Sequence, residues 1–256
     1  MLTALLVLTL TFIAQSPTAK TLQIAAPELV GKIDTGKLKG EPTQLGWSSD
    51  ATQLYLQTSE RDAQAMVRNP RYFVLSVADA KPQPVAAAPE WGTAYWRWKS
   101  DKSAPGAPRF SIDVKREERT GVATASPMGG SLARGGTPGD ASGGGTTVEE
   151  ATMRAQQMQK QQVITLTLKN EVVGEFVNQQ FLPGYTFGWA PQSVGLIAYR
   201  NQAGRLAVMD DQGQKQEVAD TKDVLLPAWS ADGSKIAFLQ KTGKNKYDLM
   251  TVSVKQ

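Results

Sequence analysis

Four tryptophans mark out a repeat, and that repeat constrains the fold more than any other feature of the chain. Trp229 opens WSADGSKIAF, with Ile236 and Phe238 seven and nine residues further on. Trp47 opens WSSDATQLYL, with Leu54 and Leu56 at the same offsets. Trp189 opens WAPQSVGLIAY, one residue longer, with Ile197 and Tyr199 in the equivalent places. Trp91 opens WGTAYWRW, a degraded copy with Trp98 at the first offset and Ser100 at the second. Trp47 and Trp91 stand 44 residues apart, Trp189 and Trp229 stand 40 apart, and the middle gap of 98 falls to 52 once residues 117–162 are set aside. A period of about 40–45 residues, holding several short strands, is that of a β-propeller blade.

The runs between the tryptophans agree with that reading. Short apolar stretches such as Leu54-Tyr55-Leu56, Leu196 to Tyr199 and Ile236 to Leu239 are punctuated by Gly, Asp, Asn and Pro. That is the pattern of an all-β domain built from regularly spaced hairpins. Each copy predicts a strand ending at the tryptophan, a tight turn, a second strand and a third, the third strands being YFVLSV, RFSIDV, RLAVMD and DLMTVSV. Polar turns are expected next, at DAKPQ and DDQGQ, with IDTGKLKG as the turn before Trp47. The fold expected is all-β and propeller-like, with about four blades of antiparallel strands. Two ways of finishing it remain open. The ring closes with residues 21–26 pairing with the last blade, or an open arc pairs through its free edges with a second chain.

Composition divides the chain. Residues 1–19 hold the uninterrupted run Leu2 to Ile13, made of apolar residues and threonines. It is shorter than the roughly 20 residues of a membrane-spanning helix, and it fits the apolar core of a signal peptide. Export to a periplasm or the cell exterior is therefore expected, with no membrane span in the mature chain. Residues 20–116 then carry the first half of the propeller and 163–256 the second. The insertion at 117–162 begins with a glycine-rich stretch, nine glycines between Thr120 and Thr147, expected to be disordered because it cannot bury enough apolar surface. A helix is predicted over 147–162, where Thr146 and Glu149, or Thr147 and Glu150, fit a capping box and Val148, Ala151, Ala155 and Met158 share one face.

PAWSADGSKIAF resembles the core of the TolB-type WD40-like (PD40) repeats found in propellers of bacterial envelope proteins, matching at Trp229, Ser230, Asp232, Gly233, Ile236 and Phe238. WSSDATQLYL resembles it at Trp47, Ser48 and Asp50, with Ala51 in place of the glycine. The other two copies keep little beyond Trp91, Trp98 and Trp189 and the apolar strand. The resemblance implies a propeller scaffold. Proteins similar to TolB carry an α/β domain before the propeller, and that domain is not expected in the dozen or so residues between the apolar leader and the first repeat. In all copies the expected role of the matched residues is structural. Tryptophan offers a large apolar surface to bury between blades, and Ser and Asp shape a turn.

The chain has no cysteine and no histidine. That removes disulfides, thiolate and imidazole metal sites, and every Ser-His-Asp or Cys-His nucleophile. The aspartates sit at expected turns and form no calcium-loop pattern, and GGSLARGGTPG lacks the Lys-Ser/Thr of a phosphate loop. The net charge of +4 is scattered, which does not suit nucleic acid. No cofactor is expected. The densest aromatic cluster, Trp91, Tyr95, Trp96 and Trp98, contains two residues outside the repeat core, Tyr95 and Trp96, which are the candidate binding residues. These features predict a non-catalytic binding or scaffold protein that docks an envelope or secreted protein, or another copy of itself. The competing expectations are a carbohydrate-binding or carboxylate-based carbohydrate-active propeller, and a propeller that gates a peptidase carried on a separate chain.

Overall fold

The computed structural model describes residues 22–61, 67–92, 113–119, 161–177, 186–191 and 195–255. They form four antiparallel sheets arranged as a propeller ring. The chain enters through a short β1 (Gln23–Ile24) and β2 (Glu28–Asp34), followed by a one-turn helix, α1 (Thr35–Leu38). The first blade is β3 (Glu41–Trp47), β4 (Gln53–Arg61), β5 (Val67–Ser76) and β6 (Gln83–Val85). The second shows β7 (Asp113–Arg119), β8 (Gln161–Leu168) and β9 (Glu171–Val177). The third is β10 (Phe187–Trp189), β11 (Leu196–Arg200), β12 (Leu206–Asp210) and β13 (Lys215–Glu217). The fourth runs β14 (Val224–Trp229), β15 (Lys235–Gly243), β16 (Lys246–Lys255).

The fourth blade takes its outermost strand from the other end of the chain. β2 pairs antiparallel with β16, from Lys246↔Asp34 to Thr251↔Glu28, and β1 continues on the same strand at Ile24↔Val254 and Gln23↔Lys255. First and last segments therefore share one sheet, and the ring is closed rather than an arc. Most of the closing ladder is 28–34, beyond the 21–26 expected from sequence, and it carries Ile33 into the core.

Both faces of the inner strands β11, β12 and β14 are buried, which explains why they read as continuous apolar runs. In β15, Ile236 and Phe238 face the third blade with Trp229, Ala198 and Val208. Ala237 and Leu239, on the opposite face, join the core that includes Leu45, Trp47, Leu54 and Leu56 of the first blade. The same division appears in β11, with Leu196 and Ala198 on one side and Ile197 and Tyr199 on the other.

Several sequence expectations are corrected. A complete blade has four strands rather than three, the added ones being β6 and β13 in the first and third blades and β2 in the fourth. The short outer strands β6 and β13 carry few apolar residues, so they look like loop in the sequence. IDTGKLKG is not a plain turn: Asp34 ends β2 and caps α1 by accepting from the Gly36 amide at 3.0 Å, and Lys39 closes it at φ 55°. Trp91 stands in a helical turn at 90–92, not at a strand end. Residues 117–119 and 161–162, assigned by sequence to the insertion, are ladder residues, paired from Glu117↔Val163 to Arg119↔Gln161. The rest of the insertion, with most of the predicted helix, and the leader at 1–19 lie outside the described residues. No helix among the described residues is long and apolar enough to cross a membrane.

Candidate functional site

The repeat residues are committed to two structural tasks. The first is sealing one blade to the next. Trp47 Nε1 donates to the Ala228 carbonyl at 3.0 Å, and Trp229 Nε1 donates to the Gly188 carbonyl at 2.9 Å. Each acceptor immediately precedes the tryptophan of its own blade. The same contact is therefore made twice around the ring, each time toward the preceding blade. Trp189 is buried and meets Phe187 edge to face at 5.8 Å. Trp91 is half-buried and lies edge-on to Tyr55 at 6.5 Å, and beside it Gly92 approaches so closely that a Cβ would stand 2.6 Å from the Tyr55 ring. Trp91 thus also reaches the preceding blade, without the strand geometry.

The second task is holding the turn after the tryptophan. Ser48 Oγ reaches Asp50 Oδ1 at 2.6 Å, the Thr52 hydroxyl donates to Asp50 Oδ2 at 2.8 Å, and the Gln53 amide donates to Ser48 Oγ at 2.9 Å. The Ser230 turn repeats this bond for bond: Ser230 to Asp232 at 2.6 Å, Ser234 to Asp232 at 2.6 Å, Lys235 amide to Ser230 at 2.9 Å. Hydrogen bonds from the Ser230 hydroxyl, the Ser234 hydroxyl and the Ser234 amide hold the Asp232 carboxyl down at about 2. Ser48 and Thr52 lower Asp50 in the same way. Gly233 and Ala51 occupy the same left-handed position, at φ 71° and 56°. Ile236 and Phe238 are wholly buried. Tyr95, Trp96 and Trp98 lie outside the described residues.

Between the second and third blades, apolar residues such as Leu168, Val173, Ile197 and Tyr199 share one core, and ionic contacts stand outside it. Lys215 pairs with Glu171 at 2.5 Å, and the Lys169 ammonium donates to the Asp211 carbonyl. Behind this rim the buried Tyr199 phenol is pushed up to about 12, first by burial and then by Glu171 and Glu217. Among the described residues no group of three or more acidic side chains is placed to hold a metal ion.

A cleft that the repeat pattern did not reveal lies on the first blade. Its volume is about 370 Å³, and it is bounded by Lys37–Lys39 at the end of α1, Pro70–Phe73 of β5 and Pro84–Ala86 at β6. Two bonds tie α1 to this blade. The Thr58 hydroxyl donates to the Leu38 carbonyl at 3.4 Å, and Arg71 Nη1 donates to the Lys39 carbonyl at 2.5 Å. Arg71 Nη2 also pairs with Glu60 at 2.8 Å, and Asn69 donates to the other Glu60 oxygen at 2.9 Å. These two partners hold the Glu60 carboxyl below its ordinary value, so it is ionised at neutral pH. Lys37 and Lys39 are exposed. Three cations, Lys37, Lys39 and Arg71, thus line the cleft beside half-buried Tyr72 and buried Phe73, with Glu60 paired to Arg71 outside the lining. Chemically this is a surface for holding anionic groups beside apolar ones. In the sequence, Lys37 and Lys39 sit in what reads as a polar turn, more than 30 residues from Arg71, which directly precedes the predicted strand YFVLSV. Only the folding of α1 onto β5 brings them together.

No family model matches the chain. No curated protein matches it either. Among solved structures, an acylaminoacyl peptidase in complex with Z-Gly-Gly-Phe-chloromethyl ketone aligns over 80% of this chain at 11% identity, with a TM-score of 0.21. The chain spans 29% of that peptidase's length. The class of the protein therefore rests on its own architecture, a four-bladed β-propeller.

Proposed function

We propose that this propeller is an exported binding or scaffold protein of the cell envelope, related to the TolB-type repeat proteins, that works by docking another protein. The observation that carries the reading is the use of the repeat's polar residues. Ser48, Asp50, Ser230 and Asp232 are bonded to one another and to their own turn backbones, and Trp47 and Trp229 join blades. The chemistry of the repeat maintains the ring, so the ring's exposed surface is the part left to meet a partner. The apolar run from Leu2 to Ile13 supports export.

The test combines fractionation with crosslinking in cells that express the full chain. The expected result is a mature form in the exported fraction that begins after the apolar leader. It should crosslink to one protein, and the purified pair should reassemble as a complex of defined mass. A chain that stays in the cytoplasm with its leader intact, or a pure protein that turns over a substrate and binds no partner, would overturn the proposal.

A further inference from the structure

The cleft on the first blade specifies what kind of partner surface it fits. Its lining combines the cations Lys37, Lys39 and Arg71 with Pro70, Pro84 and Tyr72. No acidic residue is among those lining the cleft, and Glu60, outside it, is paired with Arg71. The volume of about 370 Å³ lies within the range of ligand sites. It is enough for a few residues of an extended chain.

Strand addition is disfavoured here, although β6 is the outer strand of the blade. Pro84 is its central residue, paired with Phe73, and proline has no amide hydrogen to offer a new strand. A ligand in this cleft is therefore recognised through side chains, by charge and apolar contact. The anchoring also fixes the backbone that carries the two lysines. Arg71 is held by Glu60 and the Lys39 carbonyl, and the Lys37–Lys39 segment is held by Arg71 and Thr58.

We infer that the cleft between α1, β5 and β6 docks an acidic, extended segment of a partner protein, its carboxylates on Lys37, Lys39 and Arg71 and its chain over Tyr72 and the two prolines. This rests on the reading of the molecule as a protein-binding propeller and names the surface and the chemistry it uses. The partner is defined by its carboxylate spacing rather than by a backbone ladder. Its binding weakens with salt, because exposed charges are screened within about 8 Å at physiological ionic strength.

The experiment is a titration of fluorescein-labelled hexaglutamate with the full chain, read by anisotropy. Saturable binding is expected, and it should fade between about 0.05 and 0.5 M salt. The double reversal Lys37→Glu with Lys39→Glu should weaken it about tenfold or more. Reversal of two exposed lysines elsewhere, Lys222→Glu with Lys255→Glu, makes the same change in net charge and should leave it within about twofold. All four lysines are exposed, so both variants should fold, which a thermal melt verifies. No binding by the native chain, or equal weakening by the two double variants, overturns the inference. So does hexagalacturonate binding where hexaglutamate does not, which would make the site one for acidic saccharides. If the Lys37/Lys39 variant still crosslinks to the same cellular partner at native yield, the docking site lies elsewhere while the protein-binding reading stands.

Discussion

Trp47 Nε1 donates to the carbonyl oxygen of Ala228 at 3.0 Å, across 181 residues of chain. The bond joins the first blade to the last, at the seam that β2 closes from outside by pairing with β16. Trp229 makes the equivalent bond to Gly188 between the fourth and third blades. Both indoles are buried, so each bond satisfies a donor and an acceptor that water does not reach.

Removing the indole N–H should therefore cost stability at the seam. Trp47→Phe removes the indole donor from the Ala228 carbonyl, which keeps its place opposite Ala237 in the β14–β15 ladder, and is expected to lose about 0.5–1.5 kcal/mol, before any cavity contribution. Trp47→Ala adds the cavity and should lose about 3–5 kcal/mol, as should Trp229→Ala. Urea unfolding measures both. A Trp47→Phe protein as stable as the parent would show that the bond contributes nothing to closure.

The two matched turns differ at one backbone position. Ala51 adopts φ 56° where Gly233 adopts 71°, and each amide donates to the serine three residues back, at 3.0 and 2.9 Å. A Cβ in the left-handed region costs about 1–2 kcal/mol. Ala51→Gly should consequently stabilise by roughly 1 kcal/mol and Gly233→Ala should destabilise by a similar amount. Opposite signs in paired thermal melts are the expected outcome, and equal signs would refute the equivalence of the turns.

Asp232 gives the protein an acid limb. Its folded value is about 2, below its ordinary 3.8, so the unfolded chain takes up the proton first as pH falls. The stability it contributes is complete above about pH 4 and is lost as pH falls through about 2. Asp50 is lowered too and acts in the same direction. Asp232→Asn keeps an oxygen acceptor but does not titrate. The stability gap between parent and variant should narrow between about pH 5 and about pH 2.5. A gap that widens on acidification would contradict the assignment.

The closing strand depends on a glycine for a steric reason. A Cβ on Gly31 would stand 2.3 Å from the Cβ of Ala80, in the turn between β5 and β6. Gly31→Ala should cost about 1–3 kcal/mol and loosen β2 from the first blade. The loss should appear as faster hydrogen exchange along the β2–β16 ladder. Ala80 itself has φ 49°, so Ala80→Gly both clears the space and relieves the backbone. The double variant Gly31→Ala with Ala80→Gly should recover most of the loss, whereas additive losses would place the fault elsewhere.

The blade count, the period and the sealing tryptophans were legible in the sequence, because burial of both sheet faces demands an apolar run in every repeat. WSADGSKIAF and WSSDATQLYL could be read as one motif because Ser, Asp and the following hydroxyl act within a few residues of each other, a distance that sequence preserves. The fourth strands were not legible. KQE and QPV have too little apolar content to announce a strand, and they are strands only because β12 and β5 present an open edge to them. Ring closure was equally hidden, since ELVGKID becomes the outer strand of the last blade only through a partner more than 200 residues away. The cationic cleft belongs with these. Lys37, Lys39, Arg71 and Pro84 are ordinary surface residues along the chain. Tertiary structure made them a site by docking α1 against β5, through hydrogen bonds from Thr58 and Arg71 to the last carbonyls of a helix too short to stand alone.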